Sequence, residues 1–174
     1  MKNKIILLLI VVFLIFVFVI FFKGLTKTNI YTPVMKKKDI PEFTAKSFFG
    51  KEQFNSKNMF DQNKIYLLNI WASWCLPCRD EHSLLIRLSK NDKIEIIGLN
   101  YKDNFYNAEK FINELGNPYS KILSDRDGTL AVDWGAFGVP ETFLISKNKI
   151  VKKHVGPLNI KVIEEIENFV NETF

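Results

Sequence analysis

The sequence predicts an α/β domain attached to an N-terminal membrane helix. After Pro41, segments with strand-like and helix-like patterns alternate along the chain, which is typical of α/β layer folds. Two cysteines, Cys75 and Cys78, lie between an apolar strand-like run and a helix-like segment. An uncharged stretch at residues 5–22 is long enough to span a membrane. Together these observations indicate a membrane-anchored α/β protein.

Length and charge limit the possible partners. The chain of 174 residues suffices for one domain with a sizeable core plus an appendage. The net charge is +5, but residues 1–40 hold seven lysines against Asp39, whereas residues 41–174 hold 17 basic and 18 acidic side chains. The basic charge therefore belongs to the N-terminal part, where it suits a membrane surface. No nucleic-acid partner is expected.

The apolar stretch has the features of an uncleaved anchor. Residues 5–22 contain no charge, proline or glycine, and at about 1.5 Å per residue such a helix is about 27 Å long. No Ala-x-Ala pattern follows it, which favours an anchor over a removed signal peptide. We predict a tail at 1–4, the anchor, a linker at 23–40 and the domain at 41–174.

The orientation of the anchor is not decided by charge, because lysines flank it on both sides. The short N-terminal tail, typical of signal anchors, and the redox chemistry described below favour a domain outside the cytoplasm.

The first half of the domain contains a long apolar run, Ile65–Trp71, which indicates a buried strand. Residues 94–100 are also mostly apolar and indicate a second strand that is buried on both faces. Between them, residues 79–90 are predicted to form a helix with its leucines facing inward. A short strand pair is predicted before these elements, near 43–46 and 53–54.

The second half begins with apolar residues at helical spacing from 108 to 115, and Gly116 follows as a C-cap. The next elements are a strand at 121–124, a helix at 128–134, a hairpin of strands at 142–145 and 149–152, and an amphipathic helix with apolar positions between 162 and 170. The order is βαβ, an inserted helix-strand-helix, then ββα. With the cysteine pair at the start of the first helix, this is the thioredoxin arrangement.

Cys75 and Cys78 have the spacing of a redox dithiol. A cysteine at a helix N-terminus lies where free N–H groups and the helix dipole stabilise a thiolate. We therefore expect Cys75 to attack a partner's disulfide, and Cys78, one turn inside the helix and more buried, to resolve the mixed disulfide. Pro77 fits the first helical turn, where a missing N–H costs nothing.

Three titratable neighbours each have two interpretations. Glu81, on roughly the same helical face as Cys78, either exchanges a proton with the thiols and raises their pKa or is a solvated helix residue. His82 either orients contacts near the dithiol or is a surface histidine, and the surface interpretation is favoured. Glu141 either borders a substrate groove or is a strand-edge charge.

In the thioredoxin arrangement, the loop opposite the cysteines holds a cis proline. This predicts a cis bond before Pro140, which would leave the backbone of Val139 open for strand-like pairing with a substrate peptide. The alternative is an ordinary turn.

Four stretches resemble the DsbE/CcmG group of periplasmic thiol:disulfide interchange proteins, which act in cytochrome c maturation. They are WASWCLPCRDEH at 71–82, GLNYKD at 98–103, ELGNPY at 114–119 and GVPETFLI at 138–145. The resemblance extends over residues 43–169. A Cys-x-x-Cys alone is only moderately specific, but the four stretches together make the resemblance strong.

This resemblance implies a single-pass protein of the bacterial inner membrane whose domain faces the periplasm. It implies reduction of the haem-attachment cysteine pair of apocytochrome c, with electrons from a transmembrane thiol-disulfide donor and no cofactor or metal. Cys75 and Cys78 correspond to the redox-active disulfide, Glu81 to the acidic residue near it, and Pro140 to the cis proline. The predicted substrate-binding set is Trp74, Val139, Pro140 and Glu141.

Three other functions remain open on the sequence. The protein could be a general periplasmic disulfide oxidase or isomerase, which differs in reduction potential. It could bind zinc or copper through Cys75, Cys78 and His82, with His154 distant in sequence. It could also be a chaperone that holds apocytochrome c in the groove at Pro140 without catalysis.

Overall fold

The computed structural model describes residues 2–26 and 38–173, and the chain divides into two units between Tyr31 and Thr32. In the first unit, helix α1 covers Lys2–Thr26. Its stretch Lys4–Lys23 has a mean hydropathy of 3.8 and contains no buried residue. By length and composition this helix can cross a membrane, and it contains the whole of the predicted anchor.

The described residues of the second unit form eight strands and five helices. In chain order these are β1 (Lys38–Asp39), β2 (Thr44–Ser47), β3 (Gln53–Asn55), α2 (Ser56–Met59), β4 (Ile65–Trp71), α3 (Leu76–Leu88), β5 (Ile94–Tyr101), α4 (Phe105–Leu115), β6 (Lys121–Asp125), α5 (Thr129–Asp133), β7 (Glu141–Ser146), β8 (Lys149–Val155) and α6 (Ile160–Thr173). The predicted strands and helices are present in the predicted order, and the fold is thioredoxin-like.

Three features differ from the prediction. Lys38 and Asp39 lie in the predicted linker, but they pair with β8 as strand β1; residues 27–37 of that linker lie outside the described residues. Helix α2 was not predicted; Asn55 caps it by accepting a hydrogen bond from the Lys57 N–H. Helix α3 begins at Leu76 instead of residue 79, because Cys75 already acts as its N-cap.

The eight strands form one mixed sheet in the order β1-β8-β7-β4-β5-β6-β2-β3. Strands β4, β5 and β6 are parallel, so their carboxyl ends share one edge of the sheet. Strand β7 runs antiparallel to β4 and pairs Glu141 with Ile70 and Thr142 with Asn69. The start of β7 therefore lies beside the end of β4, at the edge where the cysteine turn begins.

Strand β4 separates two cores because its side chains alternate between the faces of the sheet. Ile65, Leu67 and Trp71 face a core that also contains residues of α3, α4 and α6, together with both cysteines. The alternate side chains of β4 face a second core, closed by residues of α2 and α5. Asn69 lies between Leu67 and Trp71 in the alternation along β4, so it faces the same side of the sheet as they do, toward α3.

Gly98 allows the close packing of the first core, and its substitution by alanine is expected to be destabilising. A Cβ atom at this position would lie 2.8 Å from Trp71 Nε1 and 3.0 Å from the Tyr119 ring, and these two rings stack with centroids 5.5 Å apart. Gly98→Ala should therefore lower the free energy of unfolding by about 1–3 kcal/mol, the usual effect of overpacking. Urea denaturation would measure the loss, with Gly50→Ala, at a more open position, as the control.

Candidate redox-active site

The two cysteines are joined by a disulfide at the start of α3. Cys75 has an extended backbone and is the N-cap residue, and its Sγ accepts a hydrogen bond from the Cys78 N–H at 3.1 Å. Pro77 lies in the first turn of the helix, as predicted. Cys75 is 4% exposed and Cys78 2%, so Cys78 is more deeply buried only by a small margin. Local backbone geometry thus aims an amide hydrogen at the Cys75 sulfur.

An aspartate after β5 holds the turn that leads to Cys75. Asp103 accepts hydrogen bonds from the Ser73 N–H at 2.5 Å and from the Ser73 hydroxyl at 2.7 Å. The Trp74 indole donates to the Lys102 carbonyl at 3.1 Å, while 59% of the Trp74 residue surface stays exposed. No role for Asp103 was predicted from the sequence. The sequence feature that could have indicated such a role is its position just after a buried strand, at the edge where the carboxyl ends of the parallel strands meet.

Glu81 lies on α3, one turn after Cys78, and is buried. Its Oε1 accepts a hydrogen bond from Asn69 Nδ2 at 2.9 Å, and its Oε2 accepts one from the Leu158 N–H at 2.6 Å. The interpretation of Glu81 as a solvated helix residue is therefore wrong. A buried carboxyl group one helical turn from Cys78 is placed to exchange protons near the dithiol.

Asn69 connects Glu81 to a wider hydrogen-bond network that was not predicted. Asn69 Nδ2 also donates to the Thr142 hydroxyl at 3.0 Å, and Asn69 Oδ1 accepts from the Tyr119 hydroxyl at 2.9 Å. Asn69 is fully buried, and its amide thus has a partner for each donor hydrogen. A single asparagine within the apolar run Ile65–Trp71 was the signal, because a buried amide needs partners.

Burial raises the pKa of Glu81 from 4.5 to about 7, although the hydrogen bonds from Leu158 and Asn69 favour the ionised form and act in the opposite direction. The carboxyl group can therefore change protonation state near neutral pH. Burial also raises the pKa of Tyr119, and the nearby Glu81 adds to that rise, so the Tyr119 hydroxyl remains a donor.

His82 is buried, and the prediction of a surface histidine is wrong. Its Nε2 lies 2.9 Å from the Gly116 carbonyl oxygen, which can only accept, so this nitrogen carries a proton. Burial is the main cause that lowers the pKa of His82, and its ring packs edge-on against Phe111 with centroids 5.0 Å apart. His82 therefore joins the end of α4 to α3 as a neutral packing residue.

The loop before β7 lies at the sheet edge where the disulfide turn begins. The Val139–Pro140 bond is cis, as predicted for this loop. Glu141 is not an exposed strand-edge charge, because it is buried and its carboxylate lies 2.7 Å from Lys153 Nζ.

The four residues of the suggested metal site do not converge. Cys75 and Cys78 bond to each other, and His154 Nε2 lies 3.1 Å from the Pro157 carbonyl oxygen. Within residues 2–26 and 38–173 there is no group of three or more His, Cys, Asp or Glu side chains arranged to hold a metal ion.

The fold and the disulfide at the start of α3 define a thioredoxin-like disulfide oxidoreductase. The redoxin family matches residues 35–170. The thiol:disulfide interchange protein DsbE of Escherichia coli is 39% identical over 172 residues, which cover 95% of this chain and 92% of that protein. The interchange protein CycY of Rhizobium leguminosarum is 48% identical over 97 residues, or 55% of this chain and 52% of that protein. The chain belongs to the redoxin family and, within it, to the DsbE-type thiol:disulfide interchange proteins.

Solved structures confirm the fold. A candidate DsbE from Chlorobium tepidum has a TM-score of 0.68 at 23% identity and covers 81% of this chain and 99% of its own. A DsbF homologue from Corynebacterium diphtheriae has a TM-score of 0.67 at 18% identity and covers 82% of this chain and 95% of its own.

Proposed function

We propose that this protein is a membrane-anchored periplasmic reductase that opens the disulfide of the haem-attachment Cys-x-x-Cys-His motif in apocytochrome c. The observation that carries the proposal is the Cys75–Cys78 pair at the start of α3, with the carboxyl group of Glu81 buried one turn further on. Membership of the DsbE-type interchange proteins supports the same reaction. Haem attachment needs both thiols free, whereas an oxidising compartment would close the pair.

The reduction proceeds by two exchanges between sulfur atoms. The Cys75 thiolate attacks one sulfur of the substrate disulfide, and the other substrate sulfur leaves as a thiolate that takes up a proton. The Cys78 thiol loses its proton and attacks the Cys75 sulfur of the mixed disulfide. The second substrate thiolate leaves and is protonated, and the Cys75–Cys78 disulfide forms. The substrate gains two electrons and two protons, which a membrane-bound thiol donor must restore to the protein.

Glu81 supports the second exchange. Because its pKa is raised to about 7, it can accept the Cys78 proton at neutral pH and release it as the leaving thiolate is protonated. Its negative charge also disfavours a second charge on Cys78 until attack occurs, since like charges raise each other's pKa. The Cys78 thiolate is therefore less stabilised. A less stabilised thiolate makes the reduced form of the protein a better electron donor.

The substrate polypeptide docks between the disulfide turn and the loop before β7. Trp74 presents an exposed ring beside Cys75, and the backbone of Val139 precedes the cis Pro140. An extended substrate segment can pair with this backbone as a strand does. Helix α1 holds the enzyme at the inner membrane, where its electron donor and the haem-attachment machinery act.

Trapping with Cys78→Ala tests the proposal. The variant keeps the attacking Cys75 but lacks the resolving thiol, so it should accumulate as a mixed disulfide in cells. Mass spectrometry should find apocytochrome c peptides joined to Cys75, and Cys75→Ser/Cys78→Ala is the control that captures none. Recovery of unrelated secreted proteins only, or a reduction potential near the strongly oxidising value of about −120 mV, would contradict a dedicated reductase.

A further inference from the structure

A buried ion pair fixes the loop at residues 135–139, which leads to Pro140. Lys153 Nζ lies 2.7 Å from Glu141 Oε2, and the two side chains are 3% and 1% exposed. Both groups also bind the backbone of the loop. Glu141 Oε1 accepts hydrogen bonds from the Phe137 N–H at 2.7 Å and the Gly138 N–H at 3.2 Å, and Lys153 donates to the Gly135 carbonyl at 2.7 Å.

This arrangement is better suited to fixing geometry than to adding stability. Burying two charges costs several kcal/mol per ion, and an apolar pair of the same volume is often at least as stable. The remaining hydrogen-bonding capacity of Glu141 and Lys153 goes to three backbone groups of one short loop. The pair therefore determines where this loop stands relative to the sheet.

Phe137 is the residue whose position this loop geometry determines. It is 85% exposed, although its N–H is held by Glu141 and its ring lies over Lys153 Nζ at 4.1 Å from the ring centroid. A cation under one ring face attracts the π system and leaves the other face open. An exposed aromatic side chain with a fixed position is a typical anchor of protein interfaces.

The loop that carries Phe137 lies at the same sheet edge as the redox site. Glu141 pairs with Ile70 in the sheet, and Ile70 is five residues before Cys75 along the chain. The loop thus borders the sheet edge from which the disulfide turn emerges.

We propose that Phe137 is a substrate-contact residue that binds an apolar side chain of the polypeptide next to its disulfide, and that Glu141 and Lys153 are its positioning residues. Glu141 then acts on the substrate through the loop instead of touching it, which replaces its predicted role in direct substrate binding. This inference rests on the proposed function, since it assumes a polypeptide disulfide as substrate.

The test compares two oxidants of the pre-reduced, full-length protein. One is a synthetic peptide with an oxidised Cys-x-x-Cys-His pair and apolar flanking residues, and the other is hydroxyethyl disulfide, which has no side chain to bind. Phe137→Ser should lower the ratio of the two second-order rate constants, peptide over hydroxyethyl disulfide, about tenfold, as expected for one interface anchor. Phe137→Leu should restore most of the ratio. Tyr106→Ser, at a comparably exposed aromatic residue on α4, is the control that keeps it.

Lys153→Met should lower the same ratio. The double variant Lys153→Met/Phe137→Ser should show no further loss, because both substitutions remove the same contact, that of Phe137 with the substrate. Lys152→Met is the matched control, since Lys152 is half-exposed and pairs with Glu165. A merely structural Lys153 would lower the melting temperature and leave the ratio unchanged, which would overturn the positioning role.

The failures of the two proposals are distinguishable. A wild-type protein that does not reduce the peptide at all would refute the proposed function. A wild-type protein that reduces it, with an unchanged ratio in Phe137→Ser, would refute only the contact at Phe137, and this variant changes an exposed side chain that folding does not require.

Discussion

Cys75→Ser is expected to lower the rate of disulfide exchange at least about a thousandfold while leaving the fold intact, because the thiolate is the nucleophile and a hydroxyl cannot replace it. The fold should persist because the residue at this position caps α3. Cys75 Sγ accepts the Cys78 N–H, and serine is among the best N-cap residues, with an oxygen that accepts the same hydrogen. Stopped-flow oxidation of the pre-reduced protein by a peptide disulfide would measure the rate.

Two companion variants separate the chemistry from the cap. Cys75→Ala removes both the nucleophile and the cap, so it should be less stable than Cys75→Ser by about 1 kcal/mol in urea denaturation. Cys78→Ser should still attack the peptide at nearly the wild-type rate and then stop as a mixed disulfide. If Cys78→Ser instead abolished the first exchange and Cys75→Ser did not, the roles of the two sulfur atoms would be the reverse of those proposed.

The features that the sequence predicted correctly depend on local spacing. The Cys-x-x-Cys pair between an apolar run and a helix requires only neighbouring residues, so the position of the disulfide at the start of α3 follows from the chain itself. The alternation of strands and helices is local in the same sense. The cis bond at Pro140 was predicted from the thioredoxin arrangement, since the identity of a single proline does not determine its isomer.

The features that were missed or wrong depend on contacts between distant residues. His82 is a polar residue on a helix, and only the packing of α4 against α3 makes it buried. The burial of Glu141 depends on its partner Lys153, which lies on the next strand and whose burial no local sequence pattern indicated. Asn69 received its role from Tyr119 and Glu81, which lie 50 and 12 residues away in the chain.

These distant contacts have one physical consequence in common. Each brings a polar group into the interior and gives it at least one hydrogen-bond partner there, which fixes a geometry that an apolar core would leave less specified. Three sets of contacts hold separate segments at the sheet edge where the turn to Cys75 begins: the hydrogen bonds of Asp103 to Ser73, the Asn69 network and the Glu141–Lys153 pair. In the proposed reaction, the Cys75 sulfur would thus meet its substrate at an edge whose segments are already held in place by internal contacts.

Glu81→Gln is expected to abolish a large part of the pH dependence of stability in the disulfide form. Burial raises the pKa of Glu81 from 4.5 to about 7, so the folded protein holds a proton between these pH values that the unfolded chain has released. The stabilising effect of this proton is complete below pH 4.5 and is lost as the pH rises through about 7. At 1.36 kcal/mol per pKa unit, the difference in unfolding free energy between wild type and variant should fall by about 3 kcal/mol across this window.

Urea denaturation of both proteins at several pH values would measure that difference, because all other titrating groups cancel in it. Glu172→Gln, at an exposed position on α6, is the control and should follow the wild type throughout. Glu81→Gln should also remove an inflection near pH 7 from the pH dependence of the rate at which Cys78 resolves the mixed disulfide, since a glutamine cannot accept the thiol proton. Parallel stability curves for wild type and Glu81→Gln would show that folding does not raise the pKa of Glu81, and proton exchange with Cys78 near neutral pH would then need another group.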